Sequence, residues 1–465
     1  MDHNHHLDGY MTGSSGSDSH HDLPSLPPAK SSAHDLKQVT NSFTMQDPRL
    51  ESVTAKSSKV DVGYPEGGPE ATRTTLGAFL ILFVQFGLMN SFGVFEAQYS
   101  TVNLKSKSPS EIAWIGTFQF FMFFFSGAFV GRLFDSFGAK PLLFPGIVLL
   151  VLSLIATSYC YDYYQFFLAQ GFLFGIGASL TFYPALSSLT HWYERKRGRI
   201  MGLVTAGSSL GGVVFPIALN KLIPAVGFPM AIRIVACIAA GILLPAGLLI
   251  RTRLPRRPFN GDVSSLVDLD GFKDLGYVLF LAASVLTMLG TYNPYIFVTV
   301  YSQSRHFDPV ITTYILSILN AGSFFGRLIP GILGDKLGFF NILSIALAIA
   351  GPVLFCWLAV SSAAGYVVWT VFYGFFSGAF IALLPACIGK FTPDPTKYGG
   401  RAGMVFAFVG LAVLCGPPSA GALIARDHGS FTEMIVYSGV MCVAGAALYW
   451  AARFKATKGE LFIKF

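Results

Sequence analysis

From residue 73 onward, apolar residues run in blocks of about twenty, each ended by a short polar connection. A helix needs about 20 apolar residues to cross the hydrocarbon layer of a bilayer, so each block reads as one transmembrane helix. Spans are predicted near 73–98, 111–133, 141–160, 163–189, 199–219 and 228–250, then 273–301, 310–333, 340–360, 365–390, 401–424 and 431–453. Gly and Pro inside them, such as Pro184, Pro216 and Pro385, do not argue against helix, because neighbouring helices re-satisfy the freed backbone groups. The expected fold class is an all-α membrane protein of twelve transmembrane helices in two pseudo-symmetric six-helix bundles. The expected domains are a tail at 1–70, bundles at 71–250 and 273–453, a linker at 251–272, and a short tail at 454–465.

The pattern repeats at a nearly fixed offset. Gly131-Arg132-Leu133-Phe134-Asp135-Ser136-Phe137-Gly138 recurs as Gly331-Ile332-Leu333-Gly334-Asp335-Lys336-Leu337-Gly338, sharing the two glycines, the leucine and the aspartate. Pro184/Pro385, Gly202/Gly403 and Pro216/Pro417 lie 201 positions apart, and Gly87/Gly290 and Asn90/Asn293 lie 203 apart. Halves with an even number of spans share one orientation and hold substrate between them.

Composition agrees with the pattern. Hydrophobic residues make up 53% and charged residues 12%, with mean hydropathy +0.57, so most of the surface has to face lipid. The basic residues sit in short clusters, without the continuous stripe that nucleic acid requires. Arg195, Lys196, Arg197, Arg199, Arg251, Arg253, Arg256, Arg257, Arg453, Lys455 and Lys458 fall on one side. The opposite connections hold Lys105, Lys107, Lys221, Arg305 and Arg426. The positive-inside rule then places both termini in the cytoplasm. Trp114, Trp357 and Trp369 are expected at outer interfaces, and Trp192 and Trp450 at inner ones.

Residues 1–70 are rich in Ser, His, Asp, Pro and Lys and read as a disordered cytoplasmic tail without a signal peptide. His3, His5 and His6 read as part of that solvated tail rather than a metal site. The cysteines Cys160, Cys237, Cys356, Cys387, Cys415 and Cys442 lie in or beside apolar runs, where a disulfide framework or zinc site is not expected.

Motifs spread over 65–455 resemble the major facilitator superfamily and, within it, the fungal branch of the monocarboxylate porter family. They are Pro65-Glu66-Gly67-Gly68, Trp114-Ile-Gly-Thr-Phe-Gln119, the Gly131 turn and Gln170-Gly-Phe-Leu-Phe-Gly-Ile-Gly177. Further along come His191-Trp-Tyr-Glu-Arg-Lys-Arg-Gly198 leading into Gly202 and Ala206-Gly207, then Gly326-Arg327, Gly334-Asp335-Lys-Leu-Gly338 and Gly416-Pro-Pro418. The resemblance implies a transporter working by alternating access, with the position of Arg327 binding substrate. It also implies that the Gly131 turn latches the inner side in the outward-open state. The sequence departs from the family's pattern at four places, the absent lysine and aspartate being features of its lactate-type members. Thr72 stands where an aromatic follows the acidic-Gly-Gly motif, and span 1 has no lysine. Ser323 replaces an aspartate four residues before the arginine, and Ser136 replaces a basic residue.

Arg327 leads the candidate residues, because an arginine in an apolar span is costly and usually faces a cavity. Its planar fork of donors suits a carboxylate. Snorkelling to the cytoplasm, about six residues away, is the structural alternative. Asn90, Gln119, Asn293 and Asn320 carry amides that need partners, and Tyr183, Tyr292 and Tyr373 offer stacking surface and hydroxyls. Together they predict a mainly apolar pathway with a few polar handles. The predicted gate comprises Gly131, Arg132, Asp135 and Gly138, meeting the span-11 start near Arg401. Its counterpart is Gly331, Asp335, Lys336 and Gly338, meeting the span-5 start near Arg199. The run Glu194-Arg-Lys-Arg197 and Arg233 read as orientation and interfacial anchors, and the span-5 glycines Gly202, Gly207, Gly211 and Gly212 as close-packing positions.

No Gly-x-x-x-x-Gly-Lys-Ser/Thr motif or catalytic set is present, so neither ATP-driven transport nor an enzyme is expected, and no cofactor or metal. The expected function is secondary or facilitative transport of a monocarboxylate-like organic anion or amphiphilic metabolite, with secondary-metabolite efflux among the options. Two driving forces stay open, a proton gradient or the substrate gradient alone. The alternative is a non-transporting receptor or sensor on the same fold. The expected partners are a small organic substrate, protons under the first driving force, and the lipid bilayer, with the chain working as a monomer. The expected site is the plasma membrane, with an internal membrane left open.

Overall fold

The computed structural model describes residues 63–256, 269–392, 394–460 and 463–464. The expected tail up to residue 62, with His3, His5 and His6, and linker residues 257–268 lie outside them. The described residues contain no strand and twelve helices long and apolar enough to cross a membrane. They are α1 (Pro69–Asn103), α2 (Ser110–Phe137), α3 (Lys140–Thr157), α4 (Tyr163–Leu189), α5 (Arg197–Val226) and α6 (Phe228–Leu249). The second set is α7 (Leu275–Ser304), α8 (Pro309–Leu337), α9 (Phe339–Ala359), α10 (Ala363–Phe391), α11 (Tyr398–Arg426) and α12 (Thr432–Ala456). Several run about a turn beyond their apolar blocks, α2 to Phe137 and α8 to Leu337, and polar caps set where they start. Ser108 and Glu111 form a capping box at the start of α2, and Asp308 accepts from Val310 N–H at 2.7 Å at the start of α8.

Within each half, α1 packs on α5 and α8 on α10; between halves, α5 packs on α8 and α2 on α11. Small residues make the second set possible. A Cβ on Gly331 would lie 2.6 Å from Gly198 O, and one on Gly198 2.7 Å from Gly331 O. The same arrangement recurs in α2 and α11, where Gly131 faces Gly399 and Gly127 faces Gly403. Gly138 (φ +80°) and Gly338 (φ +100°) end α2 and α8 in the left-handed region that side chains disfavour. We call this face of the molecule the latched end.

α1 and α7 are interrupted at matching depths. The regular helix stops at Asn90 in α1 and at Thr291 in α7, and resumes at Phe92 and Asn293. Ser91 Oγ returns a hydrogen bond to Gly87 O at 2.7 Å, and Asn293 Nδ2 donates to Leu289 O at 2.9 Å. Such breaks are tolerated at membrane depth where they border a cavity.

The tryptophan expectation holds only in part. Trp114 is exposed, but Trp357 is fully buried and stacks on Trp369 with ring centroids 4.3 Å apart. Both therefore fill the core of the second half. Trp192 is buried as well, its indole N–H donating to Arg251 O at 2.9 Å. Each ring finds apolar neighbours, and the Trp192 and Trp369 indole N–H groups also find backbone acceptors, the latter Val353 O at 2.8 Å.

Beside Trp192, His191 holds the chain leaving α6. Its Nδ1 accepts from the N–H groups of Arg253 at 3.3 Å and Leu254 at 3.4 Å. Burial, aided by Arg253 and Arg197, lowers its pKa from 6.5 to about 4. Below pH 6.5 the unfolded chain therefore takes up a proton that the folded chain refuses. The His191 contribution is whole above pH 6.5 and is lost as pH falls toward 4, by about 3 kcal/mol in total. Thermal unfolding followed from pH 7.5 to 4.5 should show a smaller drop in Tm for His191→Gln than for wild type. Equal drops would refute this role.

Candidate functional site

Arg327 sits deeper than the sequence placed it. α8 continues to Leu337, so Arg327 is ten residues, about 15 Å, from the latched end. Its side chain is 3% exposed and turns sideways rather than toward solvent. Nη1 donates to Thr205 O at 2.6 Å and to Ser208 Oγ, both on α5 of the other half. Nε has no hydrogen-bond partner, and no carboxylate among the described residues pairs with the guanidinium. The cation is thus buried against neutral partners only, a costly arrangement. Ser323, one turn away, instead accepts from the Tyr295 hydroxyl at 3.4 Å.

A cavity of about 60 Å³ opens beside the arginine. α1, α2, α4 and α5 contribute Leu82, Phe86, Asn90, Phe120, Phe124, Phe182, Thr205 and Ser208. The second half contributes Met288, Thr291, Tyr292, Tyr295, Arg327, Phe380, Ile381, Leu384, Pro385, Phe406 and Val409. Aromatic pairs bridge the halves across it: Phe120 meets Tyr292 edge-on at 5.1 Å, and Phe124 stacks on Phe406 at 5.8 Å. The chemistry is one-sided. Position 327 corresponds to Gly127 at the 200-residue offset of the turns, and Gly127 is covered by the ring of Tyr183. One half thus offers a ring where the other offers a cation. At the offset of 201, Thr205 and Ser208 correspond to Phe406 and Val409.

Of the predicted pathway residues, Arg327, Asn90 and Tyr292 line this cavity. The other five are placed elsewhere, each by a helix contact. Tyr183 donates its hydroxyl to Phe124 O at 3.1 Å, and Tyr373 donates to Thr291 O at 2.7 Å. Asn293 donates to Ser438 Oγ on α12 at 2.9 Å. Gln119 is buried outside the lining, on the helix that packs against Gly175 of α4. Asn320 and Asn90 approach Gly212 from opposite halves, where a Cβ would lie 2.9 Å from Asn320 Oδ1 and 2.8 Å from Asn90 Nδ2. Thr205, Ser208, Tyr295 and Phe406 escaped the sequence reading. The 201-residue offset links three of these four to positions in the opposite half, Thr205 with Phe406 and Ser208 with Val409, and only Tyr295 carries no distinguishing pattern.

The paired turns bridge the halves at the starts of α11 and α5, where each aspartate meets backbone N–H groups. Asp135 accepts from the N–H groups of Gly399 at 3.1 Å and Gly400 at 2.8 Å. Asp335 accepts from those of Gly198 at 2.8 Å and Arg199 at 3.1 Å. Each carboxylate therefore sits on the amino end of a helix, α11 or α5, where unpaired N–H groups and the dipole favour an anion. Arg199 Nε approaches Asp335 at 3.7 Å but is half-exposed, so it adds little. The Arg401 guanidinium donates to Phe391 O and lies over the Tyr277 ring. Arg132 is buried and Lys336 exposed.

The Major Facilitator Superfamily model matches residues 74–373 and again 280–461. The chain is 40% identical over 398 residues to an aspyridones efflux protein of Emericella nidulans, covering 85% of this chain and 80% of that one. It is 34% identical to an MFS-type transporter of Aspergillus niger, covering 92% and 99%. In three dimensions it is similar to the human organic anion transporter MFSD10, with TM-score 0.64 and 15% identity, covering 84% of this chain and all of that one. That last likeness carries the fold alone. The chain belongs to the Major Facilitator Superfamily of membrane transporters.

Proposed function

We propose that the protein carries an amphiphilic organic anion across the membrane by alternating access, with Arg327 as the anchor for the anion. The observation that carries this reading is the buried guanidinium held by neutral groups, the Thr205 carbonyl and the Ser208 and Tyr295 hydroxyls, beside an aromatic cavity. A substrate carboxylate or enolate would supply the countercharge that Ser323 does not, while its apolar body packs between Phe120, Phe124, Tyr292 and Phe406. Both latches are closed in this conformation and the cavity is small, so cargo loads when the latched end parts and leaves when the halves part on the far side. We assign the latched end to the cytoplasm, by the distribution of Lys and Arg, and the protein to the plasma membrane as a monomer. Within the superfamily we place it near the monocarboxylate porters.

The direction we propose is efflux of a secondary metabolite, supported by the likeness to a protein named for the efflux of aspyridones. Any proton coupling then rides on the substrate's own acidic group. Export from proteoliposomes should accelerate when an imposed pH gradient favours release of the acid. A rate indifferent to the gradient would exclude proton coupling and leave the substrate gradient as the driving force.

A further inference from the structure

The loop before α5 serves two carboxylates. Gly198 and Arg199 give their N–H groups to Asp335, as described above. The three residues Glu194, Arg195 and Lys196 give theirs to a second acid, Glu66, at 2.8, 2.5 and 3.0 Å. Glu66 precedes α1 and lies about 130 residues away along the chain. Two further bonds fix it: its N–H donates to Trp192 O at 3.1 Å, and Lys196 Nζ donates to Glu66 O at 2.9 Å. Glu66 is held at φ +55°, a left-handed backbone that non-glycine residues rarely adopt. Five contacts to one loop offset that strain, so the conformation is set by the loop rather than by local preference.

The matching loop before α11 is organised differently. There Asp394 accepts from Thr396 N–H at 2.9 Å and Thr396 Oγ1 at 2.7 Å, within the loop itself. Each loop that presents amides to a latch aspartate therefore carries its own carboxylate clamp. In the first half the clamp comes from the segment leading into α1.

We infer that Glu66 is the positioning residue for the Asp335 latch. By gathering the 194–196 amides it fixes the start of α5, so that the Gly198 and Arg199 N–H groups point at Asp335 before the halves close. The run Glu194–Arg197 thus acts mainly through its backbone, with the Lys196 ammonium adding its bond to Glu66 O. Glu66 touches neither substrate nor Asp335. It also ties the segment preceding α1 to a gate formed by α5 and α8.

The inference rests on the alternating-access reading, and its test separates the two. Leu384 lines the cavity and is buried while the latches hold, so Leu384→Cys reports opening of the latched end. A membrane-impermeant maleimide is applied to that end, and labelling is read as the increment over the chain's own cysteines. Asp335→Asn and Glu66→Ala should each raise the labelling rate about tenfold, and the double variant no further, because both loosen one contact. Glu66→Gln, which keeps one acceptor oxygen, should fall between. If Asp335→Asn raises labelling and Glu66→Ala lowers only the amount of protein, Glu66 merely supports folding and the inference is overturned. Rates that multiply in the double variant would overturn it too. An unchanged rate for Asp335→Asn would overturn the latch reading together with this inference.

Discussion

Arg327→Met is expected to abolish transport while making the resting protein harder to unfold. The guanidinium is buried, lacks a carboxylate and leaves Nε unpaired, so its desolvation is not repaid in this conformation. Methionine of similar reach fills the space without the charge. The α5 acceptors it abandons are not orphaned, because Ser208 Oγ already donates to Thr205 O at 2.8 Å. A gain of about 1–4 kcal/mol is expected, the range found when buried ion groups are replaced by packed apolar ones. Transport should fall at least about a hundredfold, since a charge-assisted bond to the anion is lost from a dry site. Arg327→Lys keeps the charge but not the fork, and should retain only a small fraction of the rate. A structural brace would give the opposite pair of results: lower Tm, with transport falling only as far as the amount of folded protein.

The second large effect is expected from the latches. Asp135 and Asp335 each accept two backbone N–H groups at a helix start, and asparagine keeps one oxygen without the charge. Each Asp→Asn change should move the balance between closed and open latched ends by about 1–2 kcal/mol, roughly tenfold. The two sites share no partner, so the double variant should move it by about a hundredfold. Distances between spin labels on the ends of α2 and α11, and of α5 and α8, measure this directly. The double variant should populate a longer-distance state that wild type hardly visits. Superimposable distance distributions would show that the turns only set topology.

The span count and the two-half repeat were legible because long apolar runs and a fixed offset of Gly and Pro survive any detail of packing. Helical phase was not. Spans such as α10 are apolar on every face, so nothing in the sequence distinguishes the side of Tyr373, which bonds Thr291, from the side of Phe380, which lines the cavity. At the latches the aspartates and the helix starts they face were legible, but the particular N–H groups that fill each carboxylate are backbone atoms that no letter marks. Glu66 was noticed only as part of a motif, because its partners lie 128 to 130 residues away. Arg327 itself was read correctly as costly. Its depth became clear only when α8 proved longer than its apolar block.

The central claim is that this buried cation exists to receive an anionic group on the cargo. Untargeted metabolite profiling of medium and cells carrying wild type, Arg327→Gln or no copy of the gene tests it most directly. An acidic amphiphile is predicted to accumulate in the medium with wild type alone, and Arg327→Gln, present in the membrane at the wild-type level, should match the deletion. Export of the same compound by Arg327→Gln at the wild-type rate, or a cargo without any acidic group, would contradict the account.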